Sequence, residues 1–180
     1  MSARPPSPAG DHELADDESL VELRCSVVVT RGHDVLLLRR MRGDVEEWVL
    51  PGGRPRHGEG MLACARREVD EETGLSVIPQ RCAFVADVID PGNDRRRAEL
   101  VFVAKLERNH PGHSVGEDGA EPVWVPVDRI RHLNLLPPIA GFLPGVVSGY
   151  AETAPYLGNL WRGGGLDDRD ETGTRAGSAP

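Results

Sequence analysis

The chain has 180 residues, a length for one domain, and its 29 acidic against 21 basic residues give a formal charge of −8. That balance excludes a broad footprint for a nucleic-acid polymer, which needs a basic surface. No apolar run approaches the ~18–20 residues that span a bilayer, and 39% hydrophobic residues with 21 glycines and 15 prolines imply that part of the chain is loop or tail.

Residues 1–20 are acidic and proline-rich and read as a disordered tail. They lack the apolar stretch of a secretory signal. Cys25, Cys64 and Cys82 show no CxxC spacing and fit buried thiols of a reduced compartment, so a cytoplasmic location is expected. Val21–Thr30 and Val35–Arg40 read as a hairpin around Arg31-Gly32-His33-Asp34. Trp48-Val49-Leu50 is a short apolar run stopped by Pro51-Gly52-Gly53. Met61–Thr73, bounded by Gly60 and Gly74, reads as a helix with a stripe of Leu62, Ala65 and Val69. Ala83–Asp90 and Ala98–Leu106 form a second hairpin about Pro91-Gly92-Asn93-Asp94, with Arg95-Arg96-Arg97 expected at a solvated tip. Residues 107–121 read as a polar loop, Val123–Val127 as a strand cut by Pro126, and Asp128 as a cap of a short turn. Leu135–Leu143 reads as a second helix with Pro137-Pro138 in its first turn. Residues 146–162 form a strap carrying Tyr150, Tyr156 and Trp161, and 163–180 a second disordered tail. Phe84, Phe102 and Trp124 are expected to pack inside rather than stack on a base. Strands around a central helix imply an α/β sandwich, a mixed sheet covered on both faces. The domain proper spans 21–145.

The chemistry is concentrated in Gly53–Leu75. Glu68 and Glu72 are four apart and share one helix face; Glu71 borders it. Like charges at that spacing cost about 0.2–0.5 kcal/mol per pair. Carboxylates in the last helical turn oppose the dipole by roughly 0.3–1 kcal/mol. Ion pairs Arg66–Asp70 and Arg67–Glu71 would explain some of this charge but leave Glu68 and Glu72 together. A locally unfavourable cluster marks a functional site, and clustered carboxylate oxygens suit Mg²⁺ or Mn²⁺. The glycines before the helix let backbone approach a ligand. Glu59 stands just before the helix, where capping is its plain structural role.

Gly53, Glu59, Arg67, Glu68, Val69, Glu71, Glu72, Gly74 and Leu75 fill every specified position of the pattern G-x5-E-x7-R-E-U-x-E-E-x-G-U, with U aliphatic. The segment resembles the Nudix box, and Glu121–Ile130 extends the likeness. The resemblance implies an α/β/α sandwich and a Mg²⁺- or Mn²⁺-dependent hydrolase cutting the diphosphate of a small nucleoside diphosphate derivative: a nucleotide sugar, an ADP-ribose-like compound or a nucleoside triphosphate. It implies metal ligation by Glu68, Glu72, Glu71 and the Gly52 carbonyl, orientation of a glutamate by Arg67, and support of the loop by Glu59. The proton acceptor stays open among Glu71, Glu117 and Glu121, with Asp118 on the same loop. Many members are homodimers, so the resemblance allows that state. Two other readings use the same scaffold: a non-catalytic nucleotide-ligand sensor, and an isomerase needing a catalytic cysteine, for which Cys25 and Cys82 are available.

Overall fold

The computed structural model describes residues 20–90, 95–108, 119–149 and 155–161. The expected tails, the turn 91–94 and the loop acids Glu117 and Asp118 lie almost wholly outside these, as does Tyr150.

The first hairpin forms from β1 (Val21–Arg31) and β2 (Asp34–Arg42), closed by Thr30↔Val35 and Arg31↔Asp34. The ladders then diverge. β2 pairs with β3 (Val45–Val49) and, on its other side, with β7 (Glu121–Pro126). β1 takes the two-residue β4 (Gly52–Gly53) on one side and runs parallel to β6 (Arg95–Arg108) on the other. β5 (Ser76–Asp90) pairs antiparallel with β6, and β9 (Tyr156–Asn159) runs parallel to β5. With β8 (Leu135–Leu136) at one edge, the strand order is β8-β3-β2-β1-β6-β5-β9, a mixed sheet of α/β class.

Alternation along β1 serves both faces. Val27 and Val29 pack with Cys64, Ala65 and Val69 of α1 (Met61–Thr73). Val28 packs with Phe84, Val101, Ile130, Ile139 and Leu143 on the opposite side. Burial on both faces explains why the strand reads as continuous valines rather than an alternating pattern. Phe84 and Phe102 are interior, as expected. Trp124 is half-buried under the Arg31 guanidinium, 4.4 Å from its ring centroid.

Three expectations change. Leu62 is exposed; the inward stripe of α1 is Cys64, Ala65, Val69 and Thr73. No helix spans Leu135–Leu143. Leu135–Leu136 form β8 against Trp48–Val49, and α2 begins only at Leu143, ending at Val147. Pro137 and Pro138 have no N–H and disfavour helical backbone before them, so the apolar run is divided at the prolines. Asp128 caps nothing: the 3₁₀ turn Ile130–His132 follows Arg129 without a side-chain cap.

Candidate active site

α1 begins at Gly60 without a side-chain cap and stops at Gly74, whose left-handed backbone (φ 67°) lets its N–H reach the Asp70 carbonyl at 2.8 Å. The helix lies across β4, so its last two turns meet the glycine pair. The Gly52 N–H donates to Glu72 Oε2 at 2.8 Å. A Cβ on Gly53 would stand 2.3 Å from the Glu68 carboxylate. That carboxylate therefore occupies the space a side chain would need. A Cβ on Gly52 would instead meet the Cys25 carbonyl oxygen at 2.2 Å. The bend thus requires glycine twice, for two different reasons.

Arg67 ties the acids together. Its Nε and one terminal nitrogen donate to the two oxygens of Glu59, both at 2.8 Å. Its other nitrogen donates to Glu68 Oε1 at 2.7 Å and Glu71 Oε2 at 2.9 Å. The Arg54 carbonyl accepts at 3.1 Å. Arg56 reinforces the arrangement, its N–H reaching Glu59 at 2.9 Å and its side chain Glu71 at 3.0 Å. Arg56 was not singled out from the sequence, although its place three residues before Glu59 was the available signal. Arg67, with the Arg56 N–H, holds the Glu59 carboxyl down at about 2. Glu59 in turn raises the guanidinium pKa further. Burial pushes Glu68 up, against the opposing pull of Arg67 and Arg24. Glu59 is thus a clamp on Arg67, not a helix cap. Arg66 reaches Glu107 at 3.2 Å instead of Asp70.

Among the described residues no three acidic, histidine or cysteine side chains stand close enough to hold an ion as they are; Glu68 and Glu71 are drawn onto Arg67. The donor chemistry nevertheless fits a hard cation, with carboxylate oxygens of Glu68 and Glu72 against a backbone cradle kept open by Gly53. Glu121 does not join this cluster in the hydrogen-bond network: it accepts from Arg39 across the β2–β7 ladder.

The sheet beneath the bend holds residues that sequence reasoning missed. β1 pairs Ser26 with Gly52 and Arg24 with Glu99. Ser26 Oγ donates to Glu99 Oε1, and Arg24 Nε lies 3.9 Å from the same oxygen. Glu99 is 1% exposed and its Oε2 has no hydrogen-bond partner. Its only sequence signal is a carboxylate inside the apolar run AELVFVA. Arg95 and Arg97, with Arg54, surround Glu22 at 2.5–3.5 Å, and Arg96 binds Asp87 at 2.9 Å. The arginine triplet is therefore built into the sheet rather than left at a solvated tip. Cys25 and Cys64 are buried thiols; burial pushes both up, Cys64 to about 12. Among the described residues no helix is long and apolar enough to cross a membrane.

Comparison with known proteins gives the family and the fold. A family model described as the NUDIX domain matches residues 22–146. The uncharacterized Nudix hydrolase YvcI of Bacillus subtilis (strain 168) is 30% identical over 104 residues, covering 57% of this chain and 65% of that relative. A NUDIX hydrolase from Nitrosomonas europaea superposes with TM-score 0.65 at 20% identity, over 76% of this chain and 93% of that one. A UDP-X diphosphatase superposes with TM-score 0.59 at 18% identity, over 80% and 70%. An ADP-ribose pyrophosphatase from Streptococcus suis 89-1591 gives 0.58 at 17%, over 75% and 98%.

Proposed function

The chain belongs to the Nudix family, and from that premise we propose that it is a hydrolase cutting the diphosphate linkage of a small nucleoside diphosphate derivative with Mg²⁺ or Mn²⁺. The observation that carries the reading is the carboxylate pair Glu68 and Glu72, held against a glycine bend where a side chain at Gly53 would collide with Glu68 itself and one at Gly52 with the β1 backbone. A diphosphate brings further negative charge to a site already lined by acids. The two repel unless divalent cations invert the local field. Glu68 and Glu72, with Glu71 and the Gly52 carbonyl, would hold those cations. When bound, they polarise phosphoryl oxygens and acidify water.

The remaining work falls to the chain. Arg67 orients Glu68 and Glu71 through one nitrogen while Glu59 fixes the rest of its fork. Glu71, half held by Arg67 and Arg56 at the helix end, would take a proton from the attacking water. Glu121, on β7, and Glu117, outside the described residues, are the alternative acceptors. The complete acid set favours an enzyme over a sensor.

The test is a panel of ADP-ribose, UDP-sugars and nucleoside triphosphates with Mg²⁺, read as phosphate released after phosphatase coupling. Cleavage that stops with excess EDTA is expected. Equal turnover in EDTA overturns the mechanism, and tight ligand binding without turnover favours the sensor.

A further inference from the structure

Glu99 is the group that the clamp and the carboxylate cluster leave unexplained. It lies mid-strand in β6, one strand beyond β1 and two beyond the glycine bend, and is 1% exposed. Burying a carboxylate is costly unless it is paired and hydrogen-bonded. Here one oxygen takes the Ser26 hydroxyl and the other takes nothing. Its cation, Arg24, stands 3.9 Å away, beyond hydrogen-bond reach. An arrangement serving stability alone would close that gap into a paired fork or replace the acid with an apolar residue.

Arg24 is the more informative partner. It stands opposite Glu99 in the β1–β6 register and one residue before Cys25, the register partner of Gly53, so its strand position lies between the glycine bend and the sheet carboxylate. Its side chain is 18% exposed, so part of it stays open to solvent. A planar guanidinium presents a fork of donors suited to a phosphate.

We propose that Arg24 binds a phosphate of the substrate beside the Gly52–Gly53 bend and that Glu99 is its positioning residue. This rests on the diphosphate-hydrolase reading above. Glu99 holds the guanidinium on the sheet side. Without it, Arg24 turns onto Glu68 and competes with the divalent cation for that carboxylate. Ser26 fixes Glu99 from below, and Gly52, its register partner, adds no side chain to block the approach.

The experiment uses the full chain with two probes, Mn²⁺ alone and methylenediphosphonate in saturating Mg²⁺, both by calorimetry, with melting temperatures recorded in parallel. R24A should weaken methylenediphosphonate by about 10- to 100-fold and leave Mn²⁺ affinity unchanged or slightly tighter, because a competing cation has gone. E99Q should weaken both probes. The double variant should recover the Mn²⁺ affinity of R24A, since no guanidinium remains to compete. In turnover, R24A should raise KM far more than it lowers kcat. Unchanged diphosphonate affinity in R24A overturns the proposal. So does an E99Q variant that loses melting temperature but keeps both affinities. Wild-type protein that binds neither probe and cleaves nothing overturns the hydrolase reading itself, a result distinct from either of these.

Discussion

At the scale of single residues, the decisive side chain is Arg67, because one guanidinium serves three glutamates. Lysine keeps the charge but loses the planar fork. Replacing a group that orients metal-binding side chains typically costs 10- to 100-fold in activity or metal affinity. Arg67→Lys should therefore lower kcat by about 10- to 100-fold, with a weaker Mn²⁺ isotherm, while the far-ultraviolet circular dichroism stays unchanged. A rate within twofold of wild type would show that the fork does nothing the charge cannot. The pattern of Glu68 and Glu72 was legible from helix periodicity alone, since residues four apart must share a face. Glu99 was not, because a charged residue within a strand reads as outward-facing until a parallel neighbour is known to cover it. The β1–β6 pairing that buries it joins segments more than seventy residues apart.

At the scale of elements, the glycine pair separates site from scaffold. Gly53→Ala places a methyl on the Glu68 carboxylate, the far end of a flexible side chain. The chain should fold with little loss, and Mn²⁺ affinity and rate should fall together as Glu68 is displaced. Gly52→Ala meets backbone instead, at a φ of +150° that other residues rarely adopt. It should cost about 1–3 kcal/mol in a denaturant titration. Equal stability losses in the two variants would contradict this division. The α1 boundaries were readable because glycines flank a helical run, and Gly74 supplies the left-handed cap. The second helix was misplaced because apolar composition alone does not separate a helix from a short buried strand; the two prolines and the edge of β3 decide it. β9 was hidden for a similar reason. Its four residues pair with β5, and its tether is polar: Tyr156 donates to Asp87 at 2.6 Å, and Arg96 of β6 donates to the same carboxylate at 2.9 Å. Those partners, the tyrosine hydrogen bond foremost, outweigh burial and hold the Asp87 carboxyl below its ordinary 3.8. A depressed carboxyl stabilises the fold above the unfolded value and loses that contribution as pH falls through the folded one. Asp87→Asn should cost about 1.5 kcal/mol at pH 7, with the difference from wild type shrinking below about pH 4. A gap that stays constant down to pH 2 would reject the tether.

At the scale of the whole molecule, the charge of −8 complicates any metal experiment, because an acidic chain gathers divalent cations diffusely over its surface. A specific site differs from that atmosphere in two ways. It saturates, and it depends on particular carboxylates. A ligand that binds only the folded state at ten times its Kd stabilises it by about 1.4 kcal/mol. For a chain of this size that raises the melting temperature by roughly 3–6 °C. Mn²⁺ should produce such a rise and then level off, at an ionic strength held fixed with KCl to screen the surface. Glu72→Gln removes one charge in 29 acidic residues, so a diffuse effect would barely change. It also removes a ligand anchored by the Gly52 N–H, so a site effect should vanish, and turnover should fall by orders of magnitude with it. A Glu72→Gln chain that keeps the full Mn²⁺ shift would assign the metal response to the surface and leave the acid cluster of α1 without the role given to it here.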